Sequence, residues 1–130
     1  MPAPLLVLLI VASFVLVVEF LLTAVAGLIA YQPGIDRFAQ LTGLTPGPLA
    51  YRAMGVLALL GVAGIIGGGW RPALAVVAAA YFALVAAFTL TRQLQRGQRG
   101  PALLPYSLFL LSAVIVVAIR AASLFGAWAG

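Results

Sequence analysis

Residues 5–30, 51–69, 73–91 and 102–124 form four stretches that carry only three charged side chains between them, Glu19, Arg52 and Arg120. About 20 apolar residues in a helix, rising 1.5 Å each, cross a hydrocarbon core of about 30 Å. The four stretches therefore read as transmembrane helices, and the fold class as an all-α four-helix membrane bundle. A single membrane domain over residues 1–130 is expected. Composition agrees, since only 7% of the residues are charged, against about 25% in a soluble domain. Such a chain cannot cover a water-facing surface. Four spans nearly exhaust its length, so no soluble head domain or long tail is expected.

The first stretch is about 39 Å long as a helix, enough to cross with tilt. Ala24-Val25-Ala26 resembles a small-residue cleavage site, which would make the stretch a signal peptide. Met1 to Pro4 has no basic residue, however, the apolar run is too long for a signal core, and Glu19 interrupts it. A retained span is the expected outcome.

Residues 31–50 form a connection marked by Pro33-Gly34 and Pro46-Gly47-Pro48. Within it, Ile35, Phe38 and Leu41 recur at helical spacing, with Asp36 placed well for a helix N-terminus. A short helix in the membrane interface fits this pattern, and an ordinary loop is the alternative. Gly67-Gly68-Gly69-Trp70-Arg71-Pro72 makes a brief turn, so the third span must return antiparallel beside the second. Residues 92–101 are the one strongly polar segment. Arg37, Arg52, Arg92, Arg96 and Arg99 gather on one side of the expected topology, and Arg71 and Arg120 on the other. The positive-inside rule then places both longer connections in the cytoplasm and both termini outside.

Membrane helices associate through close van der Waals approach, which small residues allow. Gly64 and Gly68 form a GxxxG pair, with Gly61 on a nearby face. Ala75, Ala79, Ala83 and Ala87 make a small-residue stripe on the third span. The short turn between these spans makes the glycine face and the alanine stripe the expected contact. Homodimerisation through the same glycine pair is the alternative.

Glu19 is the one acidic residue inside an apolar stretch, and a charge at that depth costs a few kcal/mol on insertion scales. It shares a helix face with Thr23 and Gly27, at i+4 and i+8. Arg120 is the candidate partner for an intramembrane pair, provided that the last span runs on to about Trp128. If that span ends near Ala121, Arg120 is instead an interfacial anchor. A protonated Glu19 bonded to a neighbour is the other option. Arg52, at the head of the second span, reads as a headgroup anchor or as a cation for an anionic head. Tyr81 and Tyr106 could offer hydroxyls to a ligand near the interior.

The chain has no Cys and no His. This excludes a disulfide, a thiolate nucleophile, Fe–S ligation, a Cys/His zinc site and a His- or Cys-ligated haem. No metal or resident cofactor is expected. The net charge of +5 would suggest nucleic acid in a soluble protein, but here the arginines sit at span ends, so no nucleic-acid partner is expected. Gly67-Gly68-Gly69 follows an apolar run with no Lys-Ser/Thr after it and is not a phosphate loop. There is no paired carboxylate and no Ser-His-Asp set.

Arg52-x-x-Gly55 opens a Gly-rich second span. An Arg71-Pro72 turn, an Ala-rich third span and Arg92-x-x-x-Arg96-Gly97 follow. In these features the chain resembles the DoxX-like family of small four-span bacterial membrane proteins. Some members of that family are linked to thiosulfate:quinone oxidoreductase subunits and redox-stress complexes. Two positions differ from the family pattern. Gly27-Leu28-Ile29-Ala30 is apolar where members often carry a polar residue, and Ala58 stands where an acidic residue is common, so Glu19 is the candidate replacement carboxylate. The resemblance implies an accessory subunit of a respiratory or envelope complex in the bacterial cytoplasmic membrane, and the absence of redox ligands makes a non-catalytic one the expectation. Quinone or lipid would be its ligand, and the bilayer and a larger protein complex its partners. A proton-coupled small transporter using Glu19 is the alternative.

Overall fold

The computed structural model describes residues 2–29, 31–44 and 47–125, without the side chains of Leu41 and Pro48. Five α-helices follow in order: α1 Ala3–Leu28, α2 Gln32–Thr42, α3 Pro48–Gly67, α4 Pro72–Gln95 and α5 Leu104–Leu124. A 3₁₀ turn, Gly100–Leu103, leads into α5. Each α-helix has proline at its first or second position. There the missing N–H costs nothing and the fixed φ suits the helix. α2 and α4 both end at glycines in the left-handed region, Gly43 (φ 74°) and Gly97 (φ 77°), a conformation that side chains with a Cβ resist.

Four of the helices, α1, α3, α4 and α5, are long and apolar enough to cross a membrane. The chain is thus a four-span membrane protein. α4 runs on past Thr91 to Gln95, because Arg92-Gln93-Leu94-Gln95 are good helix formers and only Gly97 stops the turn. The 102–128 version of the last span depends on Trp128, which lies outside the described residues, as do Ala30 and Pro46.

The spans pack in a ring in which α1 touches α3 and α5, and α4 touches α3 and α5. All neighbours are antiparallel. Leu9, Ala12, Leu16, Phe20 and Ala24 form the buried face of α1, at three- and four-residue spacing. They meet Ala58, Val62 and Ile65 of α3, Ala79 and Phe82 of α4, and Ala113, Val116 and Ile119 of α5. Phe20 and Phe82 stack across the centre, with ring centroids 3.7 Å apart and planes 4° from parallel. Large apolar side chains such as Phe14 and Leu84 point outward, where lipid replaces water.

Glycines set how closely the helices approach. A Cβ on Gly68 would collide with Ala75, one on Gly64 with Ala78, and one on Gly61 with the Phe82 ring. The glycine face therefore meets α4, but along Ala75, Ala78 and Phe82. Ala79 and Ala83 turn to the core instead, because α4 must serve α3 and α5 at once. A tighter crossing joins α1 to α3 at Gly27 and Gly55, where backbone lies on backbone.

The segment 31–44 is helical over Gln32–Thr42 and lies across one end of the bundle. Arg92 Nε donates to the Thr42 carbonyl at 2.7 Å and Gln98 Nε2 to the Gln40 carbonyl at 2.9 Å. The Arg96 and Arg92 guanidiniums crowd Gly43, where the helix dipole is negative and cations are favoured. Below, Gln93 is fully buried, and its Nε2 donates to Gln98 Oε1 and to the Ala102 carbonyl. This polar clamp fixes α2 to α4 and to the loop that follows. Arg37, Arg52, Arg92, Arg96 and Arg99 all lie toward this end, and Arg71 and Arg120 toward the other.

Candidate functional site

The Arg-rich end of the bundle holds a cavity of about 190 Å³ beneath α2. α1 contributes one face of a single helix: Glu19, Thr23 and Gly27, flanked by Leu22 and Ala26. The Thr23 hydroxyl donates to the Glu19 carbonyl at 3.0 Å, so it is tied to its own helix. Gly27 and Gly55, both lining residues, let α1 and α3 close one wall.

α2 forms the roof with Gly34, Arg37 and Phe38. Tyr51, in the first turn of α3, is buried and reaches up to that roof. A Cβ on Gly34 would lie 2.6 Å from the Tyr51 hydroxyl, so a larger residue there would force the Tyr51 side chain to shift. Met54 and, from the start of α5, Tyr106 complete the lining. Tyr106 lies within electrostatic reach of Glu19, Arg37 and Tyr51, and Glu19 within reach of Arg37. The result is one carboxylate, one guanidinium and two phenols facing a small space with apolar walls.

The structure separates the other expected site residues from this group. Arg120 does not pair with Glu19. It lies fourteen positions beyond Tyr106 on α5, about 21 Å along the helix. Because α1 and α5 are antiparallel, Glu19 falls toward the Arg-rich end while Arg120, four residues from the end of α5, falls toward the other. Its Nε is buried without a hydrogen-bond partner. Arg52 is exposed and outside the cavity lining. Tyr81 is half-buried and tilts against Phe82 with centroids 5.7 Å apart, on the α3–α4 side of the bundle.

Arg37, Phe38 and Tyr51 have no functional place in the sequence reading, yet they supply the roof and one wall. The helical spacing of Ile35 and Phe38 carries the only hint, since it puts Arg37 and Phe38 on a helix that must lie against the bundle. Tyr51 sits beside Arg52 at a span head and passes for an interfacial anchor.

The sequence model of the DoxX-like family matches residues 2–118. Comparison with curated proteins gives no match, and neither does comparison with solved structures. The match covers most of the chain, from the first helix into the last turns of α5. The chain belongs to the DoxX-like family.

Proposed function

We propose that this DoxX-like protein is a non-catalytic accessory subunit of a respiratory or envelope complex in the bacterial cytoplasmic membrane. Its cavity beside Glu19 takes the polar head of a quinone or a lipid. The observation that carries this reading is the chemistry of the lining. A carboxylate, a guanidinium and two phenols can accept from or donate to a ligand oxygen, while Leu22, Phe38 and Met54 suit an apolar ring or chain stem. A volume of about 190 Å³ is below the roughly 300–1,000 Å³ of clefts that enclose a whole ligand. It suits a head whose tail leaves along the helices into the bilayer.

Among the described residues no paired carboxylate or activated nucleophile stands at the cavity, which supports a binding role over catalysis. The test is purification from native membranes in mild detergent, followed by identification of copurifying proteins and extracted lipids and quinones. The expected result is a stable partner together with a quinone or lipid whose yield falls in Glu19→Gln and Tyr106→Phe. Recovery of the chain alone, with the same lipid profile for all three proteins, overturns the reading.

A proton-coupled transporter is the second reading, favoured by the exposure of Glu19 to the cavity and by the nearness of Arg37. It requires proton-dependent efflux that Glu19→Gln abolishes. Identical efflux from cells with either form removes it.

A further inference from the structure

A second hollow lies on the outside of the bundle between α3 and α4, in the opposite half of the membrane. It measures about 410 Å³, within the range of ligand-binding clefts. Gly61, Gly64 and Ala78 line it where the two helices approach, and Leu57, Leu60 and Val77 flank it. Val77 is 70% exposed, so this wall stands out into the lipid.

The ends of the hollow are unlike. Tyr81 lines the mid-membrane end, and Leu74 the other, one turn from the exposed Arg71 and Trp70. Arg71 and Tyr81 are about 15 Å apart along the helix, half of a core of about 30 Å. An occupant is therefore apolar, one leaflet deep, and ends beside a guanidinium and an indole at headgroup level. Arg120, the other arginine toward this end, is on α5, which packs against α4. Among the described residues this end carries Arg71 and Arg120 and no acidic side chain, because Glu19 and Asp36 both lie toward the far end. This charge pattern favours an anionic headgroup over a zwitterionic one, whose own cation offsets the attraction.

We propose that the α3–α4 hollow binds an anionic phospholipid, with an acyl chain over Gly61 and Gly64 and the phosphate on Arg71. This site is in the other leaflet from the Glu19 cavity and stands independently of the function proposed for that cavity.

Trp70 at the mouth is a natural reporter. The full chain carrying Trp128→Phe, which leaves Trp70 as its one tryptophan, is reconstituted in phosphatidylcholine vesicles with a minor fraction of phosphatidylglycerol. Bromine is placed on the acyl chains of one lipid or the other, and quenching of Trp70 fluorescence is measured. Brominated phosphatidylglycerol should quench about fivefold more strongly per mole fraction, the enrichment typical of one cation near an anionic lipid surface. Arg71→Gln should remove that preference. Val77→Phe, which fills the hollow from its exposed wall, should also remove it. Equal quenching by the two lipids overturns the proposal. A preference that survives Val77→Phe overturns the acyl-chain site and leaves a headgroup contact alone. Indifference of Trp70 to both lipids overturns it in favour of a protein segment covering the hollow.

Discussion

Gly27 of α1 and Gly55 of α3 meet backbone to backbone: a Cβ on Gly27 would lie 2.6 Å from the Gly55 Cα, and one on Gly55 2.8 Å from the Leu28 nitrogen. No flexible side chain can yield at either position, so the helices themselves must part. Gly27→Ala and Gly55→Ala should each destabilise the bundle by about 1–3 kcal/mol, the usual cost of overpacking. Gly47→Ala, whose Cβ would meet nothing within 4 Å, is the control. Thermal unfolding in detergent compares them, and a Gly55→Ala protein as stable as the control contradicts the close crossing.

Arg37 on the roof and Glu19 on α1 line the same cavity, within electrostatic reach of each other. Neutralising either residue should leave the other's charge less well compensated, while neutralising both restores the balance. The Glu19→Gln/Arg37→Gln double variant should therefore lose less stability than the sum of the single losses, with a coupling of about 0.5–1 kcal/mol. A double-variant cycle on unfolding in detergent reads this directly, and strict additivity means that the two groups do not sense each other.

The roof depends on the bond from Arg92 to the Thr42 carbonyl. A bond to a charged donor is worth about 1.5–3 kcal/mol, so Arg92→Gln should release α2 locally and leave the four spans intact. Hydrogen exchange in residues 32–42 should speed up about tenfold or more, with exchange in α1 and α4 unchanged. Protection of α2 that does not change would show that the clamp resides elsewhere.

Five arginines at one end and two at the other predict which end faces the cytoplasm. The chain has no native cysteine, so single-site labelling needs no background removal. In intact cells a membrane-impermeant thiol reagent should label Gly69→Cys and reach Gln95→Cys only after permeabilisation. The reverse pattern inverts the topology and places the Glu19 cavity toward the outside.

The four spans are legible from the sequence because lipid imposes a length and a composition on each one separately. The contact of Gly64 and Gly68 with α4 is legible for a similar reason, since the Trp70-Arg71 turn is too short for any other neighbour. The Glu19 site is a harder inference. Its members come from four helices, and Tyr106 lies far along the chain from Glu19. Nothing local to Glu19 distinguishes Arg120 from Arg37 as its nearby cation; that choice follows from which end of α5 meets which end of α1. Gly27 against Gly55 is equally silent, because a crossing point depends on the angle between two helices and not on the sequence of either one.

The position of Glu19 on the first helix, with its roof and far wall supplied later, also sets a problem in time. During synthesis α1 enters the bilayer carrying a carboxylate before α2, α3 and Tyr106 have been made. The cavity is complete only once α5 contributes Tyr106, so Glu19 enters the bilayer before the groups that surround it in the folded bundle exist.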